Sequence, residues 1–339
     1  MVLSQDTLYK PGILAALLLF IIGCRFPAAS VASEPIPPEA HGTLTFHTLK
    51  IDGSERRYAL YLPPDLGTEP RPLIMELHGG GITIEDVTGL SGHTSPYKLW
   101  MNLADAEHFI VVYPQGLNGA YGKPTWNDCR GDASVNSQAD DVAFLNTLIN
   151  RLEATYPIDS RRIYISGTSN GGLMALRLAK EIPQQLAAVA VVAAAMPADS
   201  SCPPSTTPLS VMFINGTQDN HLPYQGGIIS SPPNPTHGTV LSTKDTIHIW
   251  IERNGTNTTP LVTHYPDLDP HDHSTVTRFT YSRGKDNTEV ILYEVAGGGH
   301  AAPSIRETYS WLFEHYFGYQ NHDIETVWEE WQFFRQHHR

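Results

Sequence analysis

The chain has 339 residues, of which 41% are hydrophobic, and its formal net charge is −13. The hydrophobic content is sufficient for a large buried core and excludes a chain that is mostly disordered. The acidic charge argues against a nucleic-acid-binding protein, because a phosphate backbone requires a basic surface.

The N-terminal segment has the pattern of an export signal. Lys10 precedes the apolar run PGILAALLLFIIG, which is too short to span a bilayer but matches the apolar region of a secretory signal. The run ends at Cys24 within IIGC, which predicts a lipoprotein signal whose cysteine would carry a lipid anchor. Ordinary cleavage after SVA, before Ser33, is an alternative, and so is retention as an uncleaved anchor.

Strand patterns and helix patterns alternate through the rest of the chain. In chain order, apolar strand patterns occur in YALYLPP, PLIMELH, HFIVVYPQG, RIYIS, LAAVAVVAAA, LSVMFING and EVILYEVAGG. Helix patterns occur in DDVAFLNTLINRLEATY, from Asp140, and in GLMALRLAKEI. This alternation predicts an α/β fold with a mainly parallel sheet and helices on both faces. We expect a signal and exported N-terminus at 1–32, a Pro-rich spacer at 33–42 and one domain at 43–339, with no transmembrane span in the mature protein.

Between RIYIS and the helix that follows it lies GTSNGG, in which Gly167, Ser169 and Gly171 have the spacing G-x-S-x-G. This spacing is typical of a sharp strand-to-helix turn that exposes a nucleophilic serine. Side chains at the two glycine positions would collide as the strand and the helix close up.

A serine hydroxyl needs a base that removes its proton and an acid that orients the base. In the α/β-hydrolase arrangement the acid and then the histidine follow later strands of the chain. VMFINGTQDNHLPY supplies Asp219 after one strand, and EVILYEVAGGGHAAP supplies His300 after another. This chemistry requires neither a metal nor an organic cofactor, and we expect none.

The glycine-rich run HGGG follows the early strand PLIMEL and comprises His78, Gly79, Gly80 and Gly81. Backbone N–H groups in such a run can stabilise an oxyanion. We expect the N–H groups of Gly80 and Asn170 to form the oxyanion hole, with the other glycines and His78 in support.

Three further features have alternative interpretations. Cys129 and Cys202 are an even pair once Cys24 is set aside, which favours a disulfide in an exported protein, although two free thiols remain an alternative. Trp126 lies in a long loop and either faces the substrate or packs inside. HYPDLDPHDHS contains carboxylates and imidazoles but matches no metal motif, so a polar turn is favoured over a metal site.

Taken together, several stretches resemble the polyhydroxybutyrate depolymerase/feruloyl esterase-like family of secreted α/β-hydrolases. The resemblance covers residues 43–337 and rests on the segment WNDCRGDASVNSQADDVAFLNTLINRLEATYPIDSRRIYISGTSNGGLMALRLA and on PLIMELHGGG, VVYPQG, FINGTQDNHLPYQGG and GGGH. It implies an α/β-hydrolase fold, with Ser169 as nucleophile, Asp219 as acid and His300 as base. It also implies ester substrates, either 3-hydroxybutyrate oligomers or feruloyl and acetyl esters of polysaccharides.

The sequence departs from that family after His300. HAAP replaces the more usual His-Thr-Trp-Pro, and an aromatic-rich insertion follows at residues 304–323. Aromatic residues at helical spacing favour an additional packed helix over a pocket wall. A serine peptidase of the prolyl-oligopeptidase type and an inactive hydrolase-fold binding module remain the alternatives to an esterase.

Overall fold

The computed structural model describes residues 36–37, 39–51, 53–229 and 237–339. They belong to one compact unit that spans residues 35–339. The predicted signal at residues 1–32, with Cys24, lies outside the described residues, and so does part of the spacer at 33–42.

The described residues contain fourteen strands. They are β1 (Thr43–Ile51), β2 (Ser54–Leu62), β3 (Arg71–Leu77), β4 (Ile110–Pro114), β5 (Leu117–Asn118), β6 (Pro124–Thr125), β7 (Ile158–Thr168), β8 (Ala188–Val192), β9 (Ser210–Gly216), β10 (Gly227–Ile228), β11 (Thr239–Val240), β12 (Leu261–His264), β13 (Thr275–Tyr281) and β14 (Val290–Ala296). Seven α-helices accompany them. They are α1 (Ile84–Val87), α2 (Leu99–Glu107), α3 (Asp141–Glu153), α4 (Asn170–Glu181), α5 (Thr243–Asn254), α6 (Trp311–Phe317) and α7 (Thr326–Phe334).

Ten strands form one sheet in the order β1-β2-β4-β3-β7-β8-β9-β14-β13-β12. The six central strands, from β4 to β14, pair in parallel. Antiparallel pairs extend the sheet at both sides. The predicted α/β fold with a mainly parallel sheet is therefore confirmed.

Both faces of the central strands are buried, as their near-continuous apolar runs require. On β3, Leu73 and Met75 belong to a core cluster on one face of the sheet, and residues of α3, α4 and α5 belong to the same cluster. Ile74 belongs to the cluster on the other face, which α2 and α7 cover. In that second cluster the ring of Phe334 stacks on Tyr164 of β7 at a centroid distance of 4.9 Å.

The parallel strands end at the same edge of the sheet, because their chain directions agree. Each predicted functional segment begins where one of these strands stops. The glycine-rich run follows β3, the G-x-S-x-G turn spans the end of β7, and the segments of Asp219 and His300 follow β9 and β14. Ligand sites of open α/β sheets lie at this carboxyl edge.

Candidate active site

Ser169 occupies the sharp turn between β7 and α4. Its backbone has φ 53° and ψ −120°, a conformation that non-glycine residues rarely adopt. A Cβ on Gly167 would lie 2.5 Å from the carbonyl oxygen of Gly171. A Cβ on Gly171 would lie 2.1 Å from the carbonyl oxygen of Leu77. Close backbone contacts therefore require both glycines at this strained turn.

Asp219 and His300 meet because they follow two neighbouring strands. The Nδ1 atom of His300 lies 2.6 Å from Oδ2 of Asp219. The other carboxylate oxygen, Oδ1, accepts the backbone N–H groups of His221 at 2.8 Å and Leu222 at 2.7 Å. These bonds fix the carboxylate, and the carboxylate in turn fixes the orientation of the imidazole.

Ser169 and His300 line one cavity, whose volume is about 1360 Å³. Asp219 is 8% exposed and lies behind the imidazole rather than on the cavity surface. A substrate in the cavity would therefore meet the hydroxyl and the imidazole but not the carboxylate. The structure therefore joins His300 to Asp219 and places Ser169 on the same cavity as His300, although 131 positions separate residues 169 and 300 in the sequence.

The glycine-rich run faces the start of α4. A Cβ on Gly80 would lie 3.6 Å from the Cβ of Asn170, and a Cβ on Gly79 would lie 3.7 Å from that of Ser169. Asn170 is the first residue of α4, and the first N–H groups of a helix have no acceptor within it. Gly81, with φ 80°, anchors the run by donating its N–H to the carbonyl of Pro124 at 2.7 Å. The start of a helix favours negative charge, and the glycine-rich run lies beside the start of α4.

Trp126 does not face the cavity, so the interpretation that it contacts substrate is wrong. Its side chain is fully buried, and its indole N–H donates to the carbonyl of His78 at 2.9 Å. Its backbone N–H donates to Oδ1 of Asn170 at 2.7 Å. Trp126 therefore connects the glycine-rich run to the start of α4 and fixes their separation.

His78 supports the same run from inside. Gly116 donates its backbone N–H to Nε2 at 2.9 Å, so Nε2 is the unprotonated nitrogen. The proton is then on Nδ1, which donates to the carbonyl of Gly79 at 2.7 Å. Burial lowers the pKa of His78 to about 4 and keeps the imidazole neutral.

Comparison with known proteins identifies the chain. Residues 56–215 match the family model described as esterase PHB depolymerase. NocK of Nocardia uniformis subsp. tsuyamanensis, a protein named as an esterase, is 30% identical over 278 residues, which are 78% of this chain and 76% of NocK. The chain belongs to the esterase PHB depolymerase family. The protein is accordingly a carboxylic ester hydrolase.

Two more distant similarities concern a fungal protein and a solved structure. A protein of Aspergillus niger named probable feruloyl esterase C is 27% identical over 187 residues, which are 55% of the esterase described here and 62% of the fungal protein. A solved structure from Bacteroides ovatus, described as a dipeptidyl aminopeptidase IV, is 14% identical and aligns with a TM-score of 0.52 over 87% of this esterase and 36% of that chain. At that identity the likeness shows the fold alone. The α/β-hydrolase fold that the sequence predicted is confirmed.

Cys129 and Cys202 form a disulfide with a Cα–Cα distance of 5.3 Å. The bond adjoins Asp128, whose carboxylate accepts the amide Nδ2 of Asn170 at 2.5 Å and the guanidinium of Arg130 at 2.6 Å. The crosslink therefore holds the loop that steadies the start of α4. It joins this loop to the segment after β8 in the esterase.

The insertion at 304–323 is not the packed helix that its aromatic spacing predicted. No residue of α6 is buried. Five residues of the insertion line the cavity instead: Tyr309, Ser310, Phe313, Tyr316 and Phe317. The segment leaves the core after the buried Ser304 and returns at the buried Gln320, and residues 305–319 between them are exposed or partly exposed. Helical spacing indicates one apolar face, but it does not indicate whether that face meets the core or a cavity.

The polar segment HYPDLDPHDHS supports the far end of this insertion. Oδ2 of Asp272 accepts the backbone N–H of His322 at 2.7 Å, and Oδ1 accepts that of Ser274 at 2.8 Å. Oδ1 of Asp323 accepts the N–H of Leu268 at 2.6 Å. The segment is a polar turn, and these hydrogen bonds explain the carboxylate of Asp272.

Within residues 36–37, 39–51, 53–229 and 237–339, no helix of the esterase has the length and apolarity needed to cross a membrane.

Sequence reasoning missed His221, whose ring lies 4.7 Å from the ring of His300 in the same cavity. Its position two residues after Asp219 could have indicated a place in the site, because the turn that carries the acid also lies next to the site.

Proposed function

We propose that this carboxylic ester hydrolase acts through a Ser169–His300–Asp219 triad and an acyl-enzyme. The observation that carries the proposal is the 2.6 Å contact of His300 with Asp219 at a cavity that Ser169 also lines. Asp219 keeps the proton of the neutral imidazole on Nδ1, which leaves Nε2 free to accept the proton of the serine hydroxyl.

The proposed reaction has two halves. Ser169 Oγ attacks the ester carbonyl while His300 takes its proton, and the carbonyl oxygen becomes an oxyanion held by the N–H groups of Gly80 and Asn170. His300 then protonates the leaving alcohol, and the C–O bond to that alcohol breaks. Water, activated by the same imidazole, next cleaves the acyl-enzyme and releases the acid and Ser169. Loss of one oxyanion donor in such a site costs about 2.7–4 kcal/mol of transition-state stabilisation.

The proposal includes two classes of ester substrate. The family model carries the name of PHB depolymerase, which favours short 3-hydroxybutyrate polyesters. The similarity to a protein named feruloyl esterase C favours acyl esters of polysaccharides. We further propose that the protein is exported, with Cys24 as the candidate lipidation site, on the pattern of its first residues.

The test compares wild type with Ser169→Ala on p-nitrophenyl acetate, methyl ferulate and a 3-hydroxybutyrate oligomer. We expect kcat to fall by about 10⁴-fold or more in the variant, because the nucleophile is lost. The preferred ester of the wild type selects between the two classes. Ser95→Ala is the matched control, since Ser95 also lines the cavity but does not lie at the turn.

Labelling with a fluorophosphonate probe completes the test. Covalent labelling of the wild type and of Ser95→Ala, but not of Ser169→Ala, is the expected result. Retained esterase activity in a folded Ser169→Ala protein would remove Ser169 as nucleophile. Peptide hydrolysis without ester hydrolysis would favour the peptidase alternative, and a wild type that neither labels nor hydrolyses would favour the binding-module alternative.

A further inference from the structure

Three aromatic rings of the insertion form a continuous row along the cavity. Tyr309, Phe313 and Phe317 are spaced four residues apart and lie on one side of the segment that contains α6. The ring centroids of Tyr309 and Phe313 are 4.1 Å apart at an interplanar angle of 18°. Those of Phe313 and Phe317 are 4.7 Å apart. All three rings line the cavity, and we refer to them as the aromatic wall.

The aromatic wall does not contribute to the protein core. Each of its residues is partly exposed, and no residue of α6 is buried. Apolar rings that face water forgo the free energy of burial. A ligand that covers these rings would recover that free energy.

The backbone joins the aromatic wall to the loop of the proposed base. His300 donates its backbone N–H to the carbonyl of Phe317 at 2.6 Å, and Gly299 donates to that of Tyr319 at 2.8 Å. The ring of Phe317 lies 6.1 Å from that of His300 and 5.8 Å from that of His221. The wall therefore has a fixed position beside the imidazole.

This position determines which half of an ester would meet the wall. In the proposed reaction, His300 protonates the oxygen of the leaving alcohol, so this alcohol must lie on the side of the imidazole. The carbonyl oxygen points instead toward Gly80 and Asn170. A group attached to the leaving oxygen would extend from His300 along Phe317 and Phe313.

We propose that Tyr309, Phe313 and Phe317 form the binding site for the leaving alcohol and select bulky apolar or ring-shaped alcohols over methyl and ethyl groups. This inference rests on the proposed function, because it uses His300 as the donor of the proton. Rings that pack against one another present mainly their edges to the cavity, and edge-to-face contact with a ring-shaped alcohol is favourable. The backbone hydrogen bonds that fix the wall lower the entropy that binding would cost.

The experiment varies the alcohol and the acyl group separately. Ethyl acetate and 2-phenylethyl acetate differ only in the alcohol, and p-nitrophenyl acetate and octanoate differ only in the acyl group. For Phe313→Ala we expect the ratio of kcat/KM for 2-phenylethyl acetate to that for ethyl acetate to fall about tenfold relative to wild type. The octanoate-to-acetate ratio should stay within about twofold, because the change lies on the alcohol side.

Trp311→Ala is the matched control on the same helix. Trp311 is 74% exposed and does not line the cavity, so its removal should leave both ratios unchanged. Phe313→Leu, which keeps apolar volume but removes the flat ring, provides a second reading if the alanine variant does not fold. We expect Phe313→Leu to lower the ratio of kcat/KM for 2-phenylethyl acetate to that for ethyl acetate by a smaller factor than Phe313→Ala does.

Three results would overturn the inference. The first is a fall in the octanoate-to-acetate ratio while the ratio of 2-phenylethyl acetate to ethyl acetate stays unchanged. The second is an equal effect of Phe313→Ala and Trp311→Ala. The third is that both ratios stay unchanged in a folded Phe313→Ala or Phe313→Leu protein. Failure of the proposed function has a different signature, because wild type would then hydrolyse no ester or would keep its activity in Ser169→Ala.

Discussion

His78 is the buried first residue of the glycine-rich run, and its protonation state couples this run to pH. Both ring nitrogens are engaged, with Nδ1 donating to Gly79 and Nε2 accepting from Gly116. A proton on Nε2 would face the N–H of Gly116 and break the bond that positions the loop. Burial accordingly lowers the pKa of His78 to about 4, below the ordinary value of 6.5.

His78 therefore predicts a loss of stability in mild acid. The unfolded chain binds a proton near pH 6.5, whereas the folded protein binds it only near pH 4. Between these values the free energy of unfolding falls as pH falls, by about 3 kcal/mol from this residue. In His78→Gln this contribution to the decrease in the free energy of unfolding should be absent. Urea unfolding of wild type and variant at pH 7.5, 6, 5 and 4 is the measurement.

The control for this experiment is His248→Gln, because the imidazole of His248 is largely exposed on α5. The wild type and His248→Gln should show parallel dependences on pH, and His78→Gln a shallower one. Parallel curves for all three proteins would contradict a role of His78 in the acid sensitivity.

At the scale of elements, the disulfide and the loop it anchors act on the start of α4. The crosslink between Cys129 and Cys202 closes a loop with a sequence separation of 73. Asp128, next to it in the chain, accepts a hydrogen bond from Asn170. The bond therefore restricts the unfolded chain and also braces the proposed oxyanion hole.

Removal of this disulfide should lower stability. For the double variant Cys129→Ser/Cys202→Ser we expect a loss of about 2–4 kcal/mol in the free energy of unfolding, because the unfolded chain gains loop entropy. Guanidinium unfolding of this variant and of wild type, with and without a phosphine reductant, is the measurement. The reductant should destabilise only the wild type. Equal midpoints for variant and oxidised wild type would show that the crosslink contributes nothing.

The predictable elements were those with local signals. RIYIS and GTSNGG indicated the strand and the sharp turn at Ser169 because the steric need for glycine is local. The helix from Asp140 was similarly visible, and Asp140 caps it by accepting the N–H of Ala143 at 2.9 Å. The burial of Trp126 and the exposure of Phe313 were not visible, since both depend on which distant segment covers the residue.

At the scale of the whole molecule, the last helix packs on the centre of the sheet and brings two carboxyl groups together. Glu330 of α7 accepts the hydroxyl of Ser166 at 2.8 Å, and Glu76 of β3 accepts the indole N–H of Trp100 at 3.1 Å. Both glutamates are buried. The alternation of strands and helices predicts the layers of the fold, but it gives no sign of this electrostatic interaction between residues 254 positions apart, from 76 to 330.

Burial, and for Glu330 also the neighbouring Glu76, raises the pKa of both carboxyl groups above the ordinary 4.5. The folded protein therefore holds protons that the unfolded chain releases above pH 4.5. The stability associated with the pair is complete below that pH and is lost as pH rises through the raised values in the folded protein. The pair thus makes the junction of α7 and the sheet weaker at neutral and alkaline pH than in mild acid.

Glu330→Gln should strengthen this junction, because an uncharged amide of nearly the same shape removes the second carboxyl. We expect the free energy of unfolding at pH 8 to rise by about 1–3 kcal/mol. The gain should shrink as pH falls toward 4.5, because the carboxyl of the unfolded wild-type chain then becomes increasingly protonated, as it already is in the folded protein. Urea unfolding across pH 4.5–8 measures both quantities, with Glu69→Gln, at an exposed loop position, as the control. A variant that is less stable than wild type at pH 8 would mean that the carboxylate of Glu330 stabilises the fold, and the two buried acids would then need another account.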